Sequence, residues 1–128
     1  LPTPKVNEVN DWFADKVPFR VVAPRFQDQR VALMGGRLSR IQREGEQVGS
    51  TAAQIVYRVG EHKMSVLVFR ASEDEVAGLT EYVVRGNTLR MLDAKGHRVA
   101  LIRRGNLTYA VTSTLPKAEM LGLLGESL

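Results

Sequence analysis

The chain has 128 residues, 44% of them hydrophobic and 25% charged, which fits one soluble globular domain spanning 1–128 that buries about two-thirds of its surface. It contains no Cys, so disulfide scaffolds, thiol catalysis and thiolate metal sites are excluded. Eighteen Lys and Arg against 14 Asp and Glu give a net charge of +4, mildly basic and short of a dedicated nucleic-acid binder.

No signal or transit peptide is visible, and no apolar run is long enough to span a bilayer. A first residue other than Met leads us to expect the soluble part of something longer. Leu1-Pro2-Thr3-Pro4 reads as an extended lead-in. Val6, Val9, Phe13 and Val17 then mark one helical stripe, predicting an amphipathic helix from about Lys5 to Lys16. Thr3 or Pro4 can start it, Pro18 stops it, and Trp12 and Phe13 dock it.

After Pro18 the period falls to two. Phe19–Ala23 and Val31–Ile41 read as strands separated by the polar turn 27–30. Gly35-Gly36 lies inside the second pattern and marks a β-bulge or a close backbone approach; it lacks the lysine and the following helix of a phosphate loop. A polar loop follows at 44–50. Thr51–Val59 and Lys63–Arg70 form a hairpin. With Glu61-His62 at the turn, Val59 faces Met64, Tyr57 faces Val66 and Ile55 faces Val68. A turn at Gly60-Glu61 instead sets Arg58 opposite Lys63, an unfavourable like-charge pair, so the first register is expected.

Ser72 and Glu75 have capping-box spacing and predict a brief helix ending near Gly78. The acids 73–75 point apart on such a helix, which argues against a cation site. From Tyr82 the turn pairs Gly86-Asn87, Lys95-Gly96 and Gly105-Asn106 predict a β-meander, with Asp93 facing Arg98, Met91 facing Ala100 and Leu89 facing Ile102. The same face continues through Tyr109 and Val111. The opposite face holds Leu92, Val99, Leu101 and Ala110, edged by Arg90, Arg103 and Thr108. A C-terminal helix opening at Pro116, with Ala118, Met120, Leu121 and Leu124 as its stripe, is the natural cover for that second face. The fold class expected is α+β: an antiparallel meander of about six or seven strands with a helix at each end of the chain.

Catalysis needs a nucleophile with a base, or a poised acid–base pair. His62 and His97 fall at hairpin tips, Ser39, Ser65 and Ser113 lie in strand patterns without an elbow motif, and the acids are scattered through turns and caps. No catalytic residue, metal site or cofactor is assigned, and an enzyme is not expected. One Trp, three Tyr and four Phe leave no stacking platform, because Trp12, Phe13, Phe69 and Tyr109 fit core positions; nucleic acid is not an expected partner.

Several short segments carry a resemblance through their order: Val9-x-x-Trp12-Phe13; Val17-Pro18-Phe19 through Pro24; Leu33-Met34-Gly35-Gly36-Arg37-Leu38; Ala52-Ala53-Gln54-Ile55-Val56-Tyr57; and Tyr109-Ala110-Val111 followed by Leu115-Pro116. From about Val6 to Leu124 the chain resembles the extracytoplasmic C-terminal domain of membrane-anchored anti-sigma factors, bacterial regulators that hold extracytoplasmic-function sigma factors. The resemblance implies a noncatalytic sensory domain on the periplasmic side of the inner membrane. It implies an envelope protein or protease as partner, a transmembrane helix as membrane link, and a sigma factor bound through a separate N-terminal domain. Gly35, Gly36, Arg37, Gln54 and Tyr57 carry the family pattern and have structural roles available to them. The alternative reading is a free-standing small binding protein for an anionic ligand or nucleic acid; the encoded sequence upstream of Leu1 separates the two. On either reading the apolar patch Leu92 and Leu101 between Arg90 and Arg103, wherever the terminal helices leave it open, is the candidate docking surface for a partner or a second copy.

Overall fold

The computed structural model describes residues 1–41, 50–70, 80–84, 87–94 and 96–127. The order is α1 (Val6–Phe13), β1 (Val31–Ile41), β2 (Ser50–Val59), β3 (His62–Arg70), β4 (Thr80–Val84), β5 (Asn87–Ala94), β6 (His97–Arg104), β7 (Leu107–Ser113) and α2 (Lys117–Ser127). The strands form one antiparallel sheet in the order β1-β2-β3-β7-β6-β5-β4, so the fold is α+β with a helix at each end of the chain. The expected loop at 44–50, apart from Ser50, and the expected helix at 72–78 lie outside the described residues, as does the first turn pair apart from Asn87.

One face of the sheet carries the core. Ile55, Tyr57, Met64, Val66, Ala100, Ile102 and Val111 are buried beneath Val9 and Phe13 of α1 and Met120, Leu123 and Leu124 of α2. The stripe of α2 is thus Met120, Leu123 and Leu124, with Leu121 half-buried, while Ala118 is exposed. Helix α1 is shorter than the apolar spacing predicts. After Phe13 the amides of Ala14 and Lys16 bond three residues back, to Asp11 and Phe13, and Val17 precedes a proline that disfavours helical geometry.

Phe19–Ala23 is not a strand. Flanked by Pro18 and Pro24, it crosses over the core as an extended cover, with Val21 and Ala23 buried. Its backbone finds side chains in place of a neighbouring strand. Ala23 N–H donates to Asn10 Oδ1 at 2.8 Å, and the carbonyls of Pro18, Val22 and Pro24 accept from Arg70, Tyr109 and Tyr57 at 2.5, 3.3 and 2.6 Å.

The β2–β3 hairpin adopts the register that charge had argued against. Val59 pairs with His62, Tyr57 with Met64 and Ile55 with Val66, so Arg58 does face Lys63. Gly60, at φ +59°, supplies the left-handed residue that a two-residue turn requires. Both cations are exposed, where water reduces their repulsion to a small term. The shift is by two residues and leaves every side chain on its expected face. In the meander, Asp93 pairs with Arg98 and Met91 with Ala100, as the turn spacing predicts.

Candidate functional site

The second sheet face is the candidate site, and its cover differs from expectation. Among the described residues, both helices and the extended segment lie on the core face, so α2 does not cover Leu92, Val99 and Leu101. The reason is where α2 begins. Leu115, in the short link after β7, is buried in the core, and Arg98, a core-face residue, donates to its carbonyl at 3.0 Å. Lys117 then reaches the Tyr82 hydroxyl and sits 4.3 Å from the centre of that ring. These contacts direct α2 onto the side of Val111 and Ala100.

Register places the sequence-derived residues together. Pairing runs Glu81–Arg90–Leu101–Ala110–Leu67–Gln54–Arg37 across all seven strands. Arg90 and Leu101, picked out as docking residues, therefore share one row with Arg37 and Gln54, picked out only from the family pattern. The row has charged ends and an apolar middle. Arg37 Nε donates to Gln54 Oε1 at 2.7 Å, and Arg90 lies 3.7 Å from the Glu81 carboxylate. A second row sets Leu92 beside Val99 and Thr112. A third sets Arg103 beside Thr108 and Phe69. Phe69 belongs to this face and is half-buried there, whereas Phe13 is fully buried and Trp12 and Tyr109 line the core.

Leu92, Val99, Leu101, Val56 and Leu67 are all half-buried, and Val83 and Met34 at either side are 67% and 47% exposed. Ala110 and Thr108 are buried because their short side chains sit below these neighbours. The arginine rim is held rather than free. Arg103 donates to the Gly105 carbonyl at 2.9 Å and to Thr108 Oγ1 at 3.3 Å, and Arg90 faces its glutamate. The Asp93–Arg98 pair, 4.0 Å apart, lies on the core-face side and is no part of this rim.

The Gly35-Gly36 pair is a bulge and a close approach at once. Leu33 pairs with Tyr57 and Gly35 with Val56, leaving Met34 as the extra residue. Gly35 has φ +150°, and a Cβ there would lie 2.2 Å from the Leu1 carbonyl oxygen; a Cβ on Gly36 would lie 2.8 Å from the Phe13 ring. The bulge thus admits α1 on one side and the first residues of the chain on the edge. Leu1 N donates to Gly36 O at 2.6 Å, Gly36 N–H to Leu1 O at 3.0 Å, and Thr3 N–H to Met34 O at 3.0 Å. Tyr57 is structural: its hydroxyl donates to Pro24 O, and burial, reinforced by neighbouring Tyr109 and only partly opposed by Arg25, pushes its phenol above the ordinary value.

His62 and His97 open β3 and β6 beside the hairpin turns, on different strand pairs, and His62 Nδ1 lies 3.0 Å from Thr114 Oγ1. Among the described residues no three His, Cys, Asp or Glu cluster as a metal would require, and no helix is long and apolar enough to cross a membrane. A cleft of about 940 Å³ between α1 and the extended segment is lined by Asn10, Asp11 and Arg20 among others, and one of its polar groups, Asn10 Oδ1, is already engaged by Ala23. Searches of family models and of curated proteins returned no match to this chain.

Proposed function

We propose that this chain is the noncatalytic sensory and interaction domain of a membrane-anchored anti-sigma factor, acting on the extracytoplasmic side of the inner membrane. In that role it binds an envelope protein or protease, or a second copy of itself, and its anchoring and sigma-factor contacts are made by other parts of the protein. The ordered motifs between Val6 and Leu124 support the family reading. The observation that carries the binding reading is the second sheet face, where half-buried Leu92, Val99 and Leu101 lie between Arg90 and Arg103 with neither helix upon them. Apolar surface rimmed by charge is a common mark of a protein-binding site.

Two experiments test this. The encoded sequence upstream of Leu1 should contain an apolar span of about 20 residues preceded by a helical domain; a start codon a few residues before Leu1 would leave the free-standing binder of an anionic ligand in its place. The double substitution Arg90→Glu, Arg103→Glu should leave thermal unfolding nearly unchanged while signalling or self-association fails. A folded double variant that signals and sediments normally would show that this face is not the interface.

A further inference from the structure

The edge of β1 is occupied by the Leu1–Thr3 segment. That segment runs antiparallel to β1, with Pro2 bridging Gly35 and backbone hydrogen bonds to Gly36 and Met34. The two glycines make the seat: one removes the Cβ that would meet the Leu1 carbonyl, and the other makes room for Phe13 behind it. Two of the occupant's three residues face solvent. Leu1 is 40% exposed and Pro2 is exposed; of the three residues only Thr3 is buried, where its hydroxyl donates to Glu8 and accepts from Lys5 N–H.

We propose that Leu1–Thr3 is an exchangeable edge strand, and that the Met34–Gly36 edge it covers binds an extended peptide segment of a protein partner by antiparallel strand addition. Main-chain groups set the affinity, and the seat selects the side chains. The incoming strand places an apolar residue opposite Gly36, as Leu1 does, and a small hydroxyl residue opposite Met34, as Thr3 does. Within this seat Gly35 is required, since a Cβ there would meet the Leu1 carbonyl oxygen. This inference uses the β1 edge alone and does not depend on the docking face or the family proposed above.

The first test uses the unaltered chain. Hydrogen exchange followed by NMR should show the Gly36 amide, which is bonded only to the strap, exchanging at least about a thousandfold faster than the Ile55 and Val66 amides inside the sheet. Exchange of Gly36 only with global unfolding would overturn the proposal, because the strap would then never leave. The second test removes residues 1–3 and adds a synthetic Leu-Pro-Thr-Pro-Lys peptide in trans. The shortened chain should bind this peptide at least about tenfold more tightly than the intact chain does, a difference of about 1.4 kcal/mol, and binding should restore Gly36 protection. A scrambled peptide should do neither. Equal binding of the two peptides, or a shortened chain that dimerises on sedimentation and ignores the peptide, would overturn it. If the shortened chain does not fold, Gly35→Ala in the intact chain provides the complementary test: it should abolish peptide binding and strap protection together, and retained binding would refute the role of the seat.

Discussion

The two faces of the sheet are built from the same seven strands, yet among the described residues one is covered as a core and the other is not. Both alternate correctly and both carry apolar residues. They differ in what the flanking segments do. On the core face, Phe13, Val21, Leu115 and Met120 descend from four separate segments, and the fully buried aromatics and aliphatics concentrate there. On the other face the same strands present Leu92, Val99 and Leu101 half-buried, with glutamate and arginine closing the rows. Apolar content alone does not make a core; a covering layer does.

The largest effect should come from removing that layer. Phe13→Ala should lower unfolding free energy by about 3–5 kcal/mol, read from urea midpoints, since the ring is fully buried against the Gly36 backbone. A loss below 1 kcal/mol would mean that α1 is not the cover the contrast requires.

Why the contrast was only half legible follows from these residues. Period-two alternation identifies β1 to the residue and sets the Asp93–Arg98 register, because alternation and turn spacing are local. It also placed Leu92, Val99 and Leu101 on one face. It could not say which face is covered, since that depends on where Leu115 and Lys117 send α2, a tertiary matter. The segment 19–23 misled for a related reason. Its alternation is real, but its hydrogen-bond partners are Asn10, Tyr57, Arg70 and Tyr109 side chains, distant in sequence. The row joining Arg37 and Gln54 to Leu101 and Arg90 was hidden in the same way, for it needs the registers of five strand pairs at once. Motif order named Arg37 and Gln54, and strand alternation named Arg90 and Leu101, without connecting them.

Tyr57→Phe tests how the extended cover is fastened. Loss of the bond to Pro24 O leaves a carbonyl unsatisfied and should cost about 1–3 kcal/mol at neutral pH. The phenol is neutral when protonated and its folded value lies above the unfolded one, near 10. Its stabilisation is therefore complete below that pH and is lost as pH rises beyond it. Urea titrations should show the wild type and the variant converging above about pH 10. A constant gap would mean that Tyr57 does not titrate with folding.

On the open face the same kind of truncation should matter little. Leu101→Gln should cost at most about 1 kcal/mol, several times less than Phe13→Ala, while weakening any association made through this surface. A cost comparable to Phe13→Ala would show that Leu101 is buried in solution, and the two faces would no longer differ as described.

The smallest effect concerns the hairpin whose register runs against its charges. Arg58 and Lys63 face each other beside the Gly60 turn, and both are exposed. If turn geometry outweighs repulsion, relieving the repulsion should help slightly and change nothing else. Arg58→Glu places opposite charges across the same pair and should stabilise by about 0.2–1 kcal/mol at low salt, with the gain shrinking as salt screens it. Cross-strand NMR contacts between Tyr57 and Met64 should persist. Tyr57–Val66 contacts in the wild type that give way to Tyr57–Met64 contacts in the variant would show that charge, and not Gly60, sets the register. The alternation that separates core face from open face survives either result, because a two-residue slip keeps each side chain on its own side.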